Sequence, residues 1–134
     1  MPNLIAVLVS AVISMIVGSF WYSVLFGKTW MKLSGITEKQ IKEAKKKGMT
    51  KSYVIMFISL LVMFYILGIF IEYSGASTAV QGSMIGFLIW LGFLATTMLS
   101  SVLWDNKPVK LYWINTLHYL VVLVIAGAIL AVWV

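Results

Sequence analysis

The sequence predicts an all-α integral membrane protein: a bundle of four transmembrane helices, both termini outside, with a short surface helix in the first cytoplasmic loop. Three observations carry this expectation. The 134-residue chain is 62% hydrophobic and 10% charged, more apolar surface than a soluble domain of this size can hide. Four apolar runs, about 4–26, 53–73, 80–103 and 111–134, are each long enough to cross a bilayer core. All ten lysines lie in the first and third connections, and arginine is absent. The N-terminus, second connection and C-terminus hold none, so the positive-inside rule places both lysine-bearing connections in the cytoplasm. The chain reads as a single membrane domain, 1–134.

The first run, 4–26, contains no charge. As a helix it is ~35 Å long, enough to cross with some tilt. Ala6, Ser10, Ser14 and Gly18 recur every fourth residue, and Tyr22 continues the line. In lipid, helices associate through small residues, because apolar side chains gain nothing by leaving acyl chains for each other. This stripe therefore reads as a packing face, with a pore lining as the alternative, and predicts that the first span is the helix the others gather round. Its serines can bond back to carbonyls of their own helix. The N-terminus has no positive region and its apolar run exceeds a signal-peptide core, so the span is expected to be retained. Phe20, Trp21, Tyr22, Phe26 and Trp30, with Trp104, Tyr112 and Trp113, form an interfacial aromatic belt on one side.

The first connection, 27–52, carries eight of the ten lysines. Thr37 followed by Gln40 is a capping-box pattern and Gly48 a C-cap, which predicts a helix over 38–47. Glu38 and Glu43 fall towards its start and lysines towards its end, as the helix dipole favours. Lys45, Lys46 and Lys47 are the candidate contacts for anionic lipid headgroups. Trp30, Met31, Leu33 and Ile36, just before this helix, are placed to dip into the interface.

Glu72 ends the second span, where an interfacial, solvated carboxylate is the simpler reading than an ion site. The third span carries Gly82 and Gly86 at helix-packing spacing, then Gly92, Thr96 and Ser100 at fourfold spacing. Pro108 marks a stop before the fourth span. A short internal echo joins Ser23-Val24-Leu25-Phe26 ahead of Lys28 to Ser101-Val102-Leu103-Trp104 ahead of Lys107. Duplication of a hairpin and convergent interface chemistry both account for it.

Asn115 and His118 carry the sharpest functional signal. They share a face of the fourth span, with Tyr119 beside them. His118 lies on the order of 15 Å along the helix from Lys110, well inside the membrane. An ionisable residue at that depth is a functional hypothesis by default, and histidine suits a proton relay. The competing reading is a neutral histidine bonded to Asn115 or to a neighbouring Ser or Thr. Thr96, Thr97, Ser100 and Ser101 are expected to face Asn115, His118 and Tyr119, completing a polar path.

Cysteine is absent, which excludes disulfides and thiolate chemistry. No phosphate loop or catalytic triad is present, a lone histidine is no metal site, and no cofactor or enzymatic activity is expected. The net charge of +6 sits beside the spans and reads as topology and contact with anionic headgroups, not nucleic-acid binding. Two function classes remain. One is an oligomeric channel or carrier for a small solute or ion. The other is a non-transport protein that binds lipid or a membrane partner through its bundle and lysine-rich loop. Homo-oligomerisation is expected, because four short helices bury little and two spans carry small-residue stripes.

Trp21-Tyr22-Ser23 with Leu25-Phe26-Gly27-Lys28 and Trp30, and later Trp90-Leu91-Gly92-Phe93, resemble a family of small bacterial and archaeal membrane proteins. It is the domain of unknown function numbered seventeen sixty-one. The likeness covers nearly the whole chain: four spans, a polar loop after the first, a short basic loop before the last. Val24 stands where the family pattern commonly has proline. The resemblance implies a four-helix integral membrane protein and supplies no activity, substrate or catalytic residue.

Overall fold

The computed structural model describes residues 1–133, which form helices and connections with no strand among them. Four helical rods are long and apolar enough to cross a membrane: Leu4–Leu25, Thr50–Ser74, Ala79–Leu103 and Val109–Val132. Val134, the expected end of the fourth span, lies outside the described residues.

The first rod begins as α1 (Leu4–Phe20), where Asn3 Oδ1 accepts from the amides of Ile5 and Ala6 at 2.9 and 3.2 Å. It ends in a π-helical turn, π1 (Trp21–Leu25), closed by the Phe26 amide donating to the Trp21 carbonyl at 2.9 Å. That bond spans five residues where an α-helix spans four, so the turn carries one extra residue. The first connection holds two helices, α2 (Gly27–Ser34) and α3 (Glu38–Lys47). The capping box of α3 closes in both directions: Thr37 Oγ1 accepts from the Gln40 amide at 3.2 Å, and Gln40 Oε1 from the Thr37 amide at 2.9 Å. α2 is an addition to the single helix that the sequence predicts here.

The second rod, α4 (Thr50–Ser74), is unbroken. The third starts at a second capping box, Thr78 with Gln81, as α5 (Ala79–Ile89). It then passes through π2 (Trp90–Ala95) and ends in α6 (Ser100–Leu103). Pro108, at φ −60° and ψ 141°, sets the entry to α7 (Val109–Val132).

The hub is the fourth rod, not the first. Half of the most apolar stretch of α7 is buried (50%), against 28% for the first and second rods and 11% for the third. α7 packs against α1, α4 and α5, whereas α5 leans mainly on α7. The expectation that the first span is central is corrected by the small residues of α7 itself, Ala126, Gly127 and Ala131, all buried. They let two neighbours approach the same helix closely.

The stripe of α1 is nonetheless a buried face. Ala6, Ser10 and Ser14 are 0%, 1% and 4% exposed, while Leu4, Leu8, Val12 and Ile16 on the other side stay open. Gly82 and Gly86 of α5 meet α7 backbone to backbone: a Cβ on Gly82 would collide with the Gly127 carbonyl, and one on Gly86 with the Leu123 carbonyl. Ser83 Oγ adds a bond to the Val124 carbonyl at 3.3 Å. Gly92, Thr96 and Ser100, further along the third rod, stay exposed, whereas the stripe of α1 and the Gly82–Gly86 pair of α5 are thus spent on contacts within the chain. The core between them holds Phe64, Leu67, Val122 and Leu123, each at most 2% exposed.

Candidate functional site

The two π turns have a common consequence. Trp21 Nε1 donates to the Ile114 carbonyl at 2.8 Å, and Trp90 Nε1 to the Thr116 carbonyl at 2.7 Å. Two indoles, one from the first rod and one from the third, therefore hold carbonyls two residues apart on α7. Near the end of π2 the Leu99 amide bonds to the Thr96 carbonyl, and the Ala95 carbonyl accepts instead from the Tyr112 hydroxyl at 2.6 Å. Each π turn thus coincides with a hydrogen bond that ties its rod to α7.

The extra residue in π1 also turns Trp21 and Tyr22 together towards α7. The Tyr22 hydroxyl donates to Asn115 Oδ1 at 2.8 Å. His118, one turn further along, is ringed by aromatics. Ring centroids lie 6.1 Å away for Trp21, 5.3 Å for Tyr22 and 5.1 Å for Tyr119. His118 is 6% exposed, and neither Nδ1 nor Nε2 has a hydrogen-bond partner. A buried polar atom without a partner costs ~1–3 kcal/mol, so its retention is a sign of use. Gly18 faces this imidazole: a Cβ there would lie 3.2 Å from Nε2.

His118 lies at the inner end of a cavity of about 780 Å³ between the first rod, the first connection and the start of α4. Its inner end is Ser14, Gly18, Tyr22 and His118; its walls include Met15, Met31, Met49, Met56 and Trp30; its mouth carries Lys28, Lys42, Lys45 and Glu38. Below it the bundle is closed, because Ala11, Phe64 and Val122 are 0–1% exposed. The volume falls within the ~300–1,000 Å³ of small-molecule sites. The arrangement offers cations at an aqueous rim, a flexible thioether-lined wall and one imidazole at depth. Among the described residues no three His, Asp or Glu side chains gather.

The residues singled out from the sequence part company here. Asn115, His118 and Tyr119 do sit together, but Asn115 is bonded to Tyr22, not to His118. Thr96, Thr97 and Ser100 are exposed on the other side of the third rod, and Ser101 is half-buried. Thr96 and Ser101 bond to the carbonyls of Gly92 and Met98 in their own rod, so none of the four joins the polar patch. The reason is π2, whose extra residue rotates the rest of the rod. The inward line runs Gly82, Gly86, Trp90 and then on to Leu94, Ala95 and Met98. Lys45 lines the cavity, while Lys46 and Lys47 are exposed outside it.

Sequence reading picked out Lys45 and placed Met31 at the interface but missed Lys28, Lys42, Met15, Met49 and Met56 as cavity lining, although one signal exists for part of it. Glu38, Ile41, Lys42 and Lys45 fall at i, i+3, i+4 and i+7, the spacing of one helix face, and all four line the cavity. For Trp21 and Trp90 as clamps there is no such local signal.

No curated protein and no solved structure matches the chain. The resemblance carried by the Trp21–Lys28 stretch is borne out by the match to a family model over residues 5–131. The chain belongs to the family described as a protein of unknown function, DUF1761.

Proposed function

We propose that this chain is a non-transport membrane protein that binds an anionic amphiphile in the cleft between its first rod, its first connection and α4. The observation that carries the reading is the gradient of chemistry along one cavity: Lys28, Lys42 and Lys45 at the mouth, methionines on the walls, closed core beneath. A lysine near a headgroup contributes about 1 kcal/mol of attraction to an anionic group. The apolar wall takes the rest of the molecule. The role in this reading is binding.

The same reading fixes an orientation. The lysine-bearing connections face the cytoplasm and both termini lie outside, in the cytoplasmic membrane of a prokaryote, with α3 lying along the headgroups. Because the chain has no cysteine, each introduced one is a unique label. Lys46→Cys should resist an impermeant maleimide in intact cells and react after lysis, and Ser77→Cys should react in both.

A carrier for the same amphiphile is the second reading, favoured by the unpartnered imidazole at depth. Against a channel through one chain stands the buried core of Phe64 and Val122. The binding test uses protein in phosphatidylcholine nanodiscs, titrated with dodecanoate, against Lys28→Gln/Lys42→Gln/Lys45→Gln. We expect saturable binding, at least tenfold weaker in the triple variant. Binding no greater than to empty discs, or unchanged without the lysines, overturns the reading. Flux of ions or protons through the same protein in liposomes, lost in His118→Ala, reinstates transport.

A further inference from the structure

We infer that the ligand of this cleft carries a second polar group, a hydroxyl or carbonyl at the end remote from its anionic head, and that His118 receives it. This rests on the amphiphile-binding reading and specifies the molecule.

The inner end of the cleft is built for a polar atom. Trp21 and Tyr22 have committed their donors, to the Ile114 carbonyl and to Asn115. His118 has not: it is 6% exposed, borders the cavity and has both ring nitrogens free of partners. A neutral imidazole offers one donor and one acceptor, the complement of a hydroxyl, and its donor alone suits a carbonyl. Gly18 packs close over this imidazole, since a Cβ there would lie 3.2 Å from Nε2, and its lack of a side chain is what leaves room beside the ring. Ser14, 4% exposed, borders the same end and is a second hydroxyl within the cavity lining. A plain acyl chain pushed to this depth would leave the imidazole dry and unpaired. A chain ending in a hydroxyl or carbonyl would not.

The length of the cleft sets the length of the ligand. The cavity lining runs from Gly18 in α1 to Gly27 at the start of α2, nine residues further along, which at helical rise is on the order of 14 Å. An extended chain advances roughly 1.2 Å per bond, by the dimensions of an extended backbone. A spacer of about twelve carbons thus joins a head at Lys28, Lys42 and Lys45 to a tail at His118.

The test compares dodecanoate with 12-hydroxydodecanoate on the protein in phosphatidylcholine nanodiscs, with binding to empty discs subtracted. The wild-type protein should bind the hydroxy acid at least tenfold more tightly, the scale set by one or two buried hydrogen bonds. His118→Phe should bind both acids alike, and His118→Gln, which keeps a donor and an acceptor, should restore part of the preference. The wild-type ratio reads the inference even where a variant does not fold. Lysophosphatidylglycerol bearing the same two acyl groups separates the sources of the anionic end, and a tenfold preference in either series supports the inference. Equal binding of the paired ligands in both series overturns it and leaves the cleft reading standing, as does a preference that survives in folded His118→Phe. Failure of every ligand to bind above empty discs overturns both.

Discussion

Two of the seams of α7, with α5 and with the first rod, are made in opposite ways. Against α5 it is closed by absence of side chains: Gly82, Gly86 and Gly127 bring backbone onto backbone. Against the first rod it is held at a distance by bulk, with Trp21, Tyr22 and His118 between the helices and a cavity of about 780 Å³ beside them. In lipid there is no hydrophobic drive to close a gap between helices, so a seam closes only where small residues or polar bonds make it do so. The first seam is built to hold the fold, and the second to hold something else.

The largest effect should come from breaking the closed seam. Gly86→Leu places a side chain where the Leu123 carbonyl stands, and relief requires the two backbones to part. Overpacking of this kind costs ~1–3 kcal/mol or more, and here no flexible side chain can yield. We expect the melting transition in detergent, followed by tryptophan fluorescence, to fall steeply or vanish. At Gly18 on the other seam the nearest atom to a Cβ, at 3.2 Å, is Nε2 of the His118 side chain and not backbone, with a cavity beside it, so Gly18→Leu should cost far less in folding while blocking ligand. Equal damage from both would erase the distinction.

The two indole clamps come next. Trp90 is 6% exposed and belongs to the core, whereas Trp21 is half-buried on the way to the cleft. Loss of a neutral hydrogen bond costs about 1 kcal/mol, and a buried indole loses packing as well. Trp90→Phe should therefore destabilise by roughly 2 kcal/mol and Trp21→Phe by about half as much. Of the two, Trp21→Phe alone should alter ligand binding. Thermal melts beside a titration of each variant check both halves.

How much of this was legible follows the range of the interaction. Local patterns read correctly: the spans, the Thr37–Gln40 capping box and its helix to Lys47, the buried stripe of Ala6, Ser10 and Ser14. Each is set by residues within a turn or two. The π turns were not legible, because no residue type demands them. They exist where bonds to partners 26 and 93 residues away, Thr116 and Ile114, outweigh one α-helical bond. The facing of Thr96, Thr97 and Ser100 went with them, since an unseen extra residue turns the remainder of the rod. The choice of hub was open to reading in Ala126, Gly127 and Ala131. A stripe of glycine and alanine in α7 is simply less conspicuous than the serines of α1. His118 was found because an ionisable residue in an apolar run stands out, but its freedom from Asn115 depends on Tyr22, far away in sequence.

His118→Leu separates stability from use. On the closed seam, any side-chain change trades one against the other. At His118 the unpaired imidazole already carries a cost of ~1–3 kcal/mol, and leucine removes it at similar volume. The variant should melt at the same temperature as the wild type or somewhat higher, while its preference for the hydroxylated ligand disappears. A large loss of stability would mean that the ring is bonded in the folded protein and would make it a structural residue.

The smallest effect should be at the roof of the open seam. α3 contains no buried residue, although Ile41, Lys42 and Lys45 line the cleft. Its order therefore rests on its own capping more than on the bundle. Thr37→Ala removes the hydroxyl that accepts from the Gln40 amide, and an exposed N-cap is typically worth about 1 kcal/mol. That loss should stay local: amide exchange across Glu38 to Lys47 should quicken by about fivefold, with the global melt unmoved. Bound ligand, through Lys42 and Lys45, should slow the same amides in the wild type and in the variant. If Thr37→Ala instead lowers the melt of the whole protein, the roof is part of the cooperative core. The cleft would then be as fixed as the glycine seam it is contrasted with.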